Sequence, residues 1–179
     1  MNTGTHSKTS LFLMEIIIAI FFFSLSSAIC LRLFVSAHTL SQHDSDLNNA
    51  LLWSQSLSES FYGCNGNLLM IKNLYPDSFL SDGEKEGDGT IIVFFDKDWN
   101  VVDNSLGDAS YEAMINIKKD SAKAVYSDIK EYDVAYEGEA IVGNIAVINI
   151  QNRSEEYLTI PENADDIIFS NTVDIYIGN

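Results

Sequence analysis

Proline is scarce in this chain of 179 residues: there are two, and the first stands at position 76. Nothing in the N-terminal third therefore removes a backbone donor from a helix or kinks one. Histidine is equally sparse, with His6, His38 and His43 all lying before residue 44. The remaining chain cannot build a Ser-His-Asp or Cys-His relay of its own. His38 and His43 are five apart, off the i, i+4 spacing that puts two zinc ligands on one helix face. The two cysteines, Cys30 and Cys64, give no disulfide framework. In a continuous helix they stand roughly 50 Å apart, far outside disulfide geometry. Basic residues number 10 against 26 acidic ones. From Ser36 onward there are 8 basic and 25 acidic groups, a net charge of −17. That balance disfavours nucleic acid as a partner, because phosphate neutralisation needs clustered Lys and Arg, and it equally disfavours docking on an anionic lipid surface. It suits solubility, counter-cations or basic neighbours.

Motifs for catalysis are missing as well. The glycine-rich stretch 81–89 (SDGEKEGDG) lacks the Lys-Ser/Thr of a phosphate-binding loop. Asp96, Asp98 and Asn100 start with the alternate oxygen spacing of a calcium loop, but Val101 replaces the glycine needed next and Gly107 the bidentate acid. A polar hairpin turn is the expectation there. Asn152-Arg153-Ser154 matches a glycosylation sequon, a pattern common by chance. No period of 20–50 residues recurs. The chain is expected to be no enzyme, with no cofactor and no metal site.

What the sequence does have is an apolar run, Leu11 to Leu31, broken by a single ionisable side chain, Glu15. As a helix its 21 residues span about 30 Å, the thickness of a bilayer's hydrocarbon core. A carboxylate in such a segment needs a snorkelling route or a partner. Lys8 and His6 before the run and Arg32 after it give little orientation bias. The acidic remainder is more naturally placed outside the cytoplasm. Three arrangements compete. A cleaved signal peptide would use Ser26 to Ala28 before the cut, but Glu15 and the apolar continuation Ile29 to Val35 oppose it. A lipoprotein signal would modify Cys30, but Ile29 stands where a small residue is required. A retained membrane helix fits both length and continuation.

The stretch Ser10-Leu11-Phe12-Leu13-Met14-Glu15-Ile16-Ile17-Ile18-Ala19-Ile20 resembles the processing region of type IV prepilins and type II secretion pseudopilins. The likeness covers about residues 8 to 35, a fifth of the chain. It implies a leader, Met1 to Ser10, removed by a prepilin peptidase between Ser10 and Leu11. It further implies N-methylation of the new N-terminal Leu11. Glu15 then occupies the fifth place of the mature chain, where the family's glutamate directs assembly with other pilin or pseudopilin subunits. Two departures are plain: Ser10 replaces the usual glycine, and Arg32 stands near where many pilins carry proline. A minor pilin or pseudopilin tolerates both better than a major pilin does. The reading is a structural subunit of a type IV pilus or type II secretion-like filament, with membrane lipid and sibling subunits as partners. It would sit as a single-pass protein of the inner membrane with its head extracytoplasmic, and reach a cell-surface filament after assembly. The alternative is an uncleaved single-pass protein with an extracytoplasmic binding or sensory domain, in which Glu15 merely snorkels to the interface.

Independently of that likeness, Ser36 to Phe61 is amphipathic. Leu40, Leu47, Ala50, Leu51, Leu57 and Phe61 recur at helical spacings among polar residues, and Gly63, Asn65 and Gly66 supply a stop. Helix is predicted from about Leu11 to Phe61. Leu68 to Leu74 predicts a short helix ended by Tyr75-Pro76-Asp77. Thr90 to Phe95 and Trp99 to Val102 predict a hairpin. Alternation predicts further strands at Ser110 to Lys118, Ile145 to Ile150 and Val173 to Ile177, with Glu156 to Ile160 a shorter candidate. Ala122 to Tyr136 is ambiguous between strand and helix. The fold class expected is α+β and pilin-like: a long N-terminal helix packed on a small, mostly antiparallel sheet. The divisions are a leader (1–10), a transmembrane helix (11–35), its amphipathic continuation (36–62) and a globular head (63–179).

Overall fold

With neither proline nor glycine between positions 5 and 62, the backbone has no reason to leave the helical basin. In the computed structural model it does not: helix α1 runs from Thr5 to Gly63. The structure describes all residues except 1–4, 84–85, 104–108, 128–136, 152–156, 162–163 and 179. The chain forms two compact units, Met1–Ser45 and Asp46–Asn179.

The first unit is helix alone. Its apolar side chains point outward on every side; Leu11, Phe12, Leu13 and Met14 are consecutive and each more than half exposed. Two hydroxyls along this helix bond back to its own backbone: Ser24 Oγ donates to the Ile20 carbonyl at 2.8 Å. Thr39 Oγ1 donates to the Val35 carbonyl at 3.0 Å. Such i−4 back-bonding lets a hydroxyl sit in an apolar helix without an orphan donor.

The second unit opens with the last turns of α1. Ala50, Ser54, Leu57 and Phe61 are buried there, at spacings of four, three and four, which is one stripe of a 3.6-residue helix. The expectation placed Leu40, Leu47 and Leu51 on the apolar face; all three are exposed. The small Ser54, rather than a leucine, continues the stripe and is buried in it. The stop is a Schellman turn. Asn65 (φ 50°) and Gly66 (φ 68°) take left-handed conformations. The Gly66 N–H reaches the Phe61 carbonyl at 2.8 Å and the Asn65 N–H the Tyr62 carbonyl at 3.2 Å. Asn67 then caps helix α2 (Leu68–Leu74), its side chain accepting from the Met70 N–H.

Strands β1 (Phe79–Asp82), β2 (Gly89–Phe95), β3 (Val101–Val102), β4 (Tyr111–Ser121), β5 (Glu139–Asn149) and β6 (Ile167–Gly178) form one sheet, with a one-turn helix α3 (Ala122–Val125) between β4 and β5. The order is β1-β2-β4-β5-β6, with β3 also on β2. Every pairing is antiparallel. The α+β class is therefore correct.

Several boundaries differ from expectation. Ser81 and Asp82 belong to β1, paired with Thr90 and Gly89, not to a loop. Trp99 and Asn100 are outside β3, because Trp99 turns through φ 63°. The strands expected at 110–118, 145–150 and 173–177 are longer or shifted: β4 runs on through Lys119 to Ser121, β5 starts at Glu139 and β6 at Ile167. Residues 157–160 form no strand; they lie across one sheet face, where Tyr157 and Ile160 pack on Ile92, Met114 and Ile148. Glu156, the sequon 152–154 and most of the ambiguous stretch after Val125 lie outside the described residues.

The opposite face holds the larger core. There Leu57 and Phe61 of α1 pack with Ile91, Val93, Ile115 and Val147. A Cβ on Gly143 would meet the Phe61 ring and Val173 at 3.0 Å, so β5 uses glycine to seat that ring.

Candidate functional site

The residues singled out in the sequence all lie on α1. Ser10, Leu11 and Glu15 are exposed, and Leu11 is four residues from Glu15, so both lie on one helix face. Among the described residues Glu15 makes no hydrogen bond or ion pair. The carboxylate is surrounded by apolar side chains that are themselves uncovered, with Ile18 45 % and Phe22 60 % exposed. Among the described residues one helix is long and apolar enough to cross a membrane, and it is this one, with a mean hydropathy of 2.3 over its most apolar window. A helix apolar all round is stable only inside lipid or among other helices. Cys30 is exposed on the same segment and Cys64 is buried in the head; both are free thiols.

A second constellation, unforeseen in the sequence, fastens α1 to the sheet at the first residue of the head. Asp46 Oδ1 accepts from Trp99 Nε1 at 3.1 Å and from the Tyr111 hydroxyl at 3.0 Å. The two rings stack at 4.2 Å and 14°, and Gln151 Nε2 donates to the Tyr111 hydroxyl at 2.9 Å. The aromatic series continues along the helix through Phe95, Trp53 and Tyr75. Tyr75 closes it with hydroxyl contacts to Ser56 and Ser60 at 3.0 and 2.8 Å. Three groups separated by 53 and 65 positions in the chain meet at one oxygen. Only the isolated Trp99 beside a polar turn could have hinted at this.

Burial and the Asp46 carboxylate push the Tyr111 phenol up to about 12. A free tyrosine ionises near 10, so the folded state holds this proton more tightly than the unfolded one. The stability gained is fully present below pH about 10 and is lost as pH rises toward about 12. Phenolate absorbance in an alkaline titration should show one tyrosine ionising later than the others, and Asp46→Asn should bring it back toward 10. Asp46→Ala leaves Trp99 Nε1–H without its acceptor and should cost about 1–3 kcal/mol, read as a lower urea midpoint for the chain in detergent.

The calcium-like spacing resolves into a turn. Asp96 Oδ1 accepts the N–H groups of Asp98 and Asn100 at 2.8 and 2.9 Å, and Oδ2 accepts from Asn100 Nδ2 at 2.9 Å. The Asn100 bonds hold the Asp96 carboxyl below its usual range, as hydrogen bonding to the charged form does. The polar hairpin expected there is found, with β3 paired back on β2.

Comparison with protein-family models, with curated proteins and with solved structures gives no match for this chain.

Proposed function

We propose that this protein is a filament subunit of the minor pilin or pseudopilin kind, made as a membrane precursor and assembled through α1 after removal of residues 1–10. The observation that carries the reading is Glu15: a carboxylate with no hydrogen bond or ion pair among the described residues, on an exposed apolar stretch of helix, in the fifth place after Ser10. Cleavage before Leu11 creates an α-ammonium one helical turn away. Packed against sibling helices, that cation and a carboxylate within about 4–6 Å stabilise each other. The long helix leading into an antiparallel head suits the pilin layout. The acidic head, repelled by its own copies, favours basic-headed neighbours over a homopolymer. On this reading the chain spans the inner membrane once, keeps its head outside the cytoplasm and has no catalytic role.

Intact mass of the chain recovered from membranes that also contain a prepilin peptidase tests the proposal. A chain beginning at Leu11, one methyl heavier at its α-amine, is the expected result. A chain beginning at Met1 overturns it in favour of the uncleaved single-pass protein, the outcome that Ser10 in place of glycine favours. A chain beginning near Ile29 would mean a signal peptide.

A further inference from the structure

The two margins of the sheet are built differently. On one side β2 is bordered by β1 and β3, of four and two residues, and so short a border offers little to a further strand. On the other side the border is β6, with 12 residues. Its pairing with β5 shifts register at two places, and between them residues 169–176 pair without interruption with 147–140. That stretch holds no proline and no lysine, the residues that commonly blunt an edge. It carries one charge, Asp174. Ser170, Asn171, Thr172 and Asp174 are exposed.

Two hydrogen bonds fix which main-chain groups of β6 point outward. The Thr172 N–H donates to the side chain of its own neighbour, Asn171 Oδ1, at 2.9 Å, so it is turned away from β5. The Lys119 N–H donates to Asp88 Oδ1 at 3.0 Å, on the β2 side of β4. In an antiparallel pair, opposed residues either bond each other or both turn away. Lys119 is opposed to Ile141, and Ile141 to Ile175. Ile141 therefore turns toward β6, and Ile175 turns back to β5. Both routes give the same parity: the N–H and C=O of Ser170, Thr172 and Asp174 point out from the sheet. Among the described residues no main-chain group bonds to them. The side chains alternate as well. Val173 is buried in the core with Leu57 and Phe61, and Phe169 and Ile175 lie half-buried at its margin. Ser170, Thr172 and Asp174 stand on the other face.

We propose that the outer edge of β6 receives an extended segment of another protein, apolar and basic at alternate positions, as an added strand. Its main chain would bond Ser170, Thr172 and Asp174, the ladder by which sheet edges take up peptides. Its apolar side chains would cover Phe169 and Ile175, and a lysine or arginine would stand beside Asp174. A basic segment is favoured because the chain carries a net charge of −16. A second copy of the chain would bring the same charge to the same margin. The inference needs only the folded head and stands apart from cleavage and assembly of α1.

The test uses the full chain in detergent micelles and a short end-capped peptide with valine at every second position and threonine or lysine between. Amide hydrogen exchange is followed by NMR. At saturating peptide the Ser170, Thr172 and Asp174 N–H groups are expected to exchange at least about tenfold more slowly. Those of Val173 and Ile175, already turned to β5, should change little. A peptide with glutamate for lysine is expected to bind at least about tenfold more weakly, as like charges brought side by side require. Thr172→Pro removes an outward donor and leaves the β5 ladder intact, and should abolish binding. Asn171→Ala releases the Thr172 N–H from its present acceptor and should tighten binding about threefold. Slowing of both parities alike, or of neither at millimolar peptide, would overturn the edge site, and that result needs no variant to fold. Equal binding of the glutamate peptide would overturn the basic partner. Slowing that grows with chain concentration in the absence of peptide would put a second copy on the edge instead.

Discussion

Chains carrying Glu15→Ala are expected to insert into the membrane and to lose residues 1–10 at the normal rate, yet to yield no filament. The substitution removes nothing that holds the head together, because Glu15 has no partner among the described residues, and it makes the apolar run more apolar. Insertion should improve slightly. Assembly is another matter. When α1 enters a bundle, the new α-ammonium of Leu11 leaves water, and an uncompensated buried ion costs several kcal/mol. At ~1.4 kcal/mol per factor of ten, that is a loss of a hundredfold or more in the subunit's affinity for a growing filament. Sheared surface filaments or a cross-linked subunit ladder, compared at equal membrane abundance, give the readout. Glu15→Gln keeps the shape without the charge and should fail nearly as fully. Normal assembly of either variant would sink the role assigned to Glu15. Failure of cleavage in them would move that role to the peptidase step.

Phe61→Ala should be the most damaging single change in the head. The ring is fully buried at the last turn of α1 and rests in the gap left by Gly143. Removing it deletes a large apolar contact and leaves a cavity that the Schellman turn at Asn65 and Gly66 keeps the backbone from closing. A cost of about 3–5 kcal/mol is expected, a large part of a small domain's stability. It should be read from the urea midpoint at unchanged slope. The reciprocal change has a different signature. Gly143→Ala puts a methyl at 3.0 Å from the ring, and overpacking of this kind costs about 1–3 kcal/mol. Because the clash is with Phe61 itself, the double variant Phe61→Leu, Gly143→Ala should be more stable than the sum of the two single losses predicts. Strict additivity would mean that the two residues do not share space as described.

Some of this architecture was open to inspection in the chain, for identifiable reasons. The end of α1 was legible because Gly63, Asn65 and Gly66 are local signals, and the turn they form involves nothing distant. Helix α2 falls within its expected bounds, Leu68–Leu74, because Asn67 and Tyr75-Pro76 mark its two ends. The apolar cores of β2, β4, β5 and β6 were legible from alternation. Their full lengths were not, since a residue such as Lys119 becomes strand only by pairing with Ile141. Strand β1 was missed because the charged residues just after it made Ser81 and Asp82 read as loop. The stripe of α1 was misjudged because counting leucines cannot show that a serine, Ser54, is buried in it. Glu15 stood out because its cost is set by its immediate neighbours.

The Asp46 junction gives the molecule an optical gauge of its own. Trp99 lies stacked on Tyr111 and donates its indole N–H to a carboxylate on α1. Its excited state therefore feels the fixed negative charge of Asp46 only while that turn of α1 is seated. Lifting that turn away would change the colour and yield of indole emission before the sheet itself lost any strand. A displacement of that turn would thus be read in indole emission without any added label.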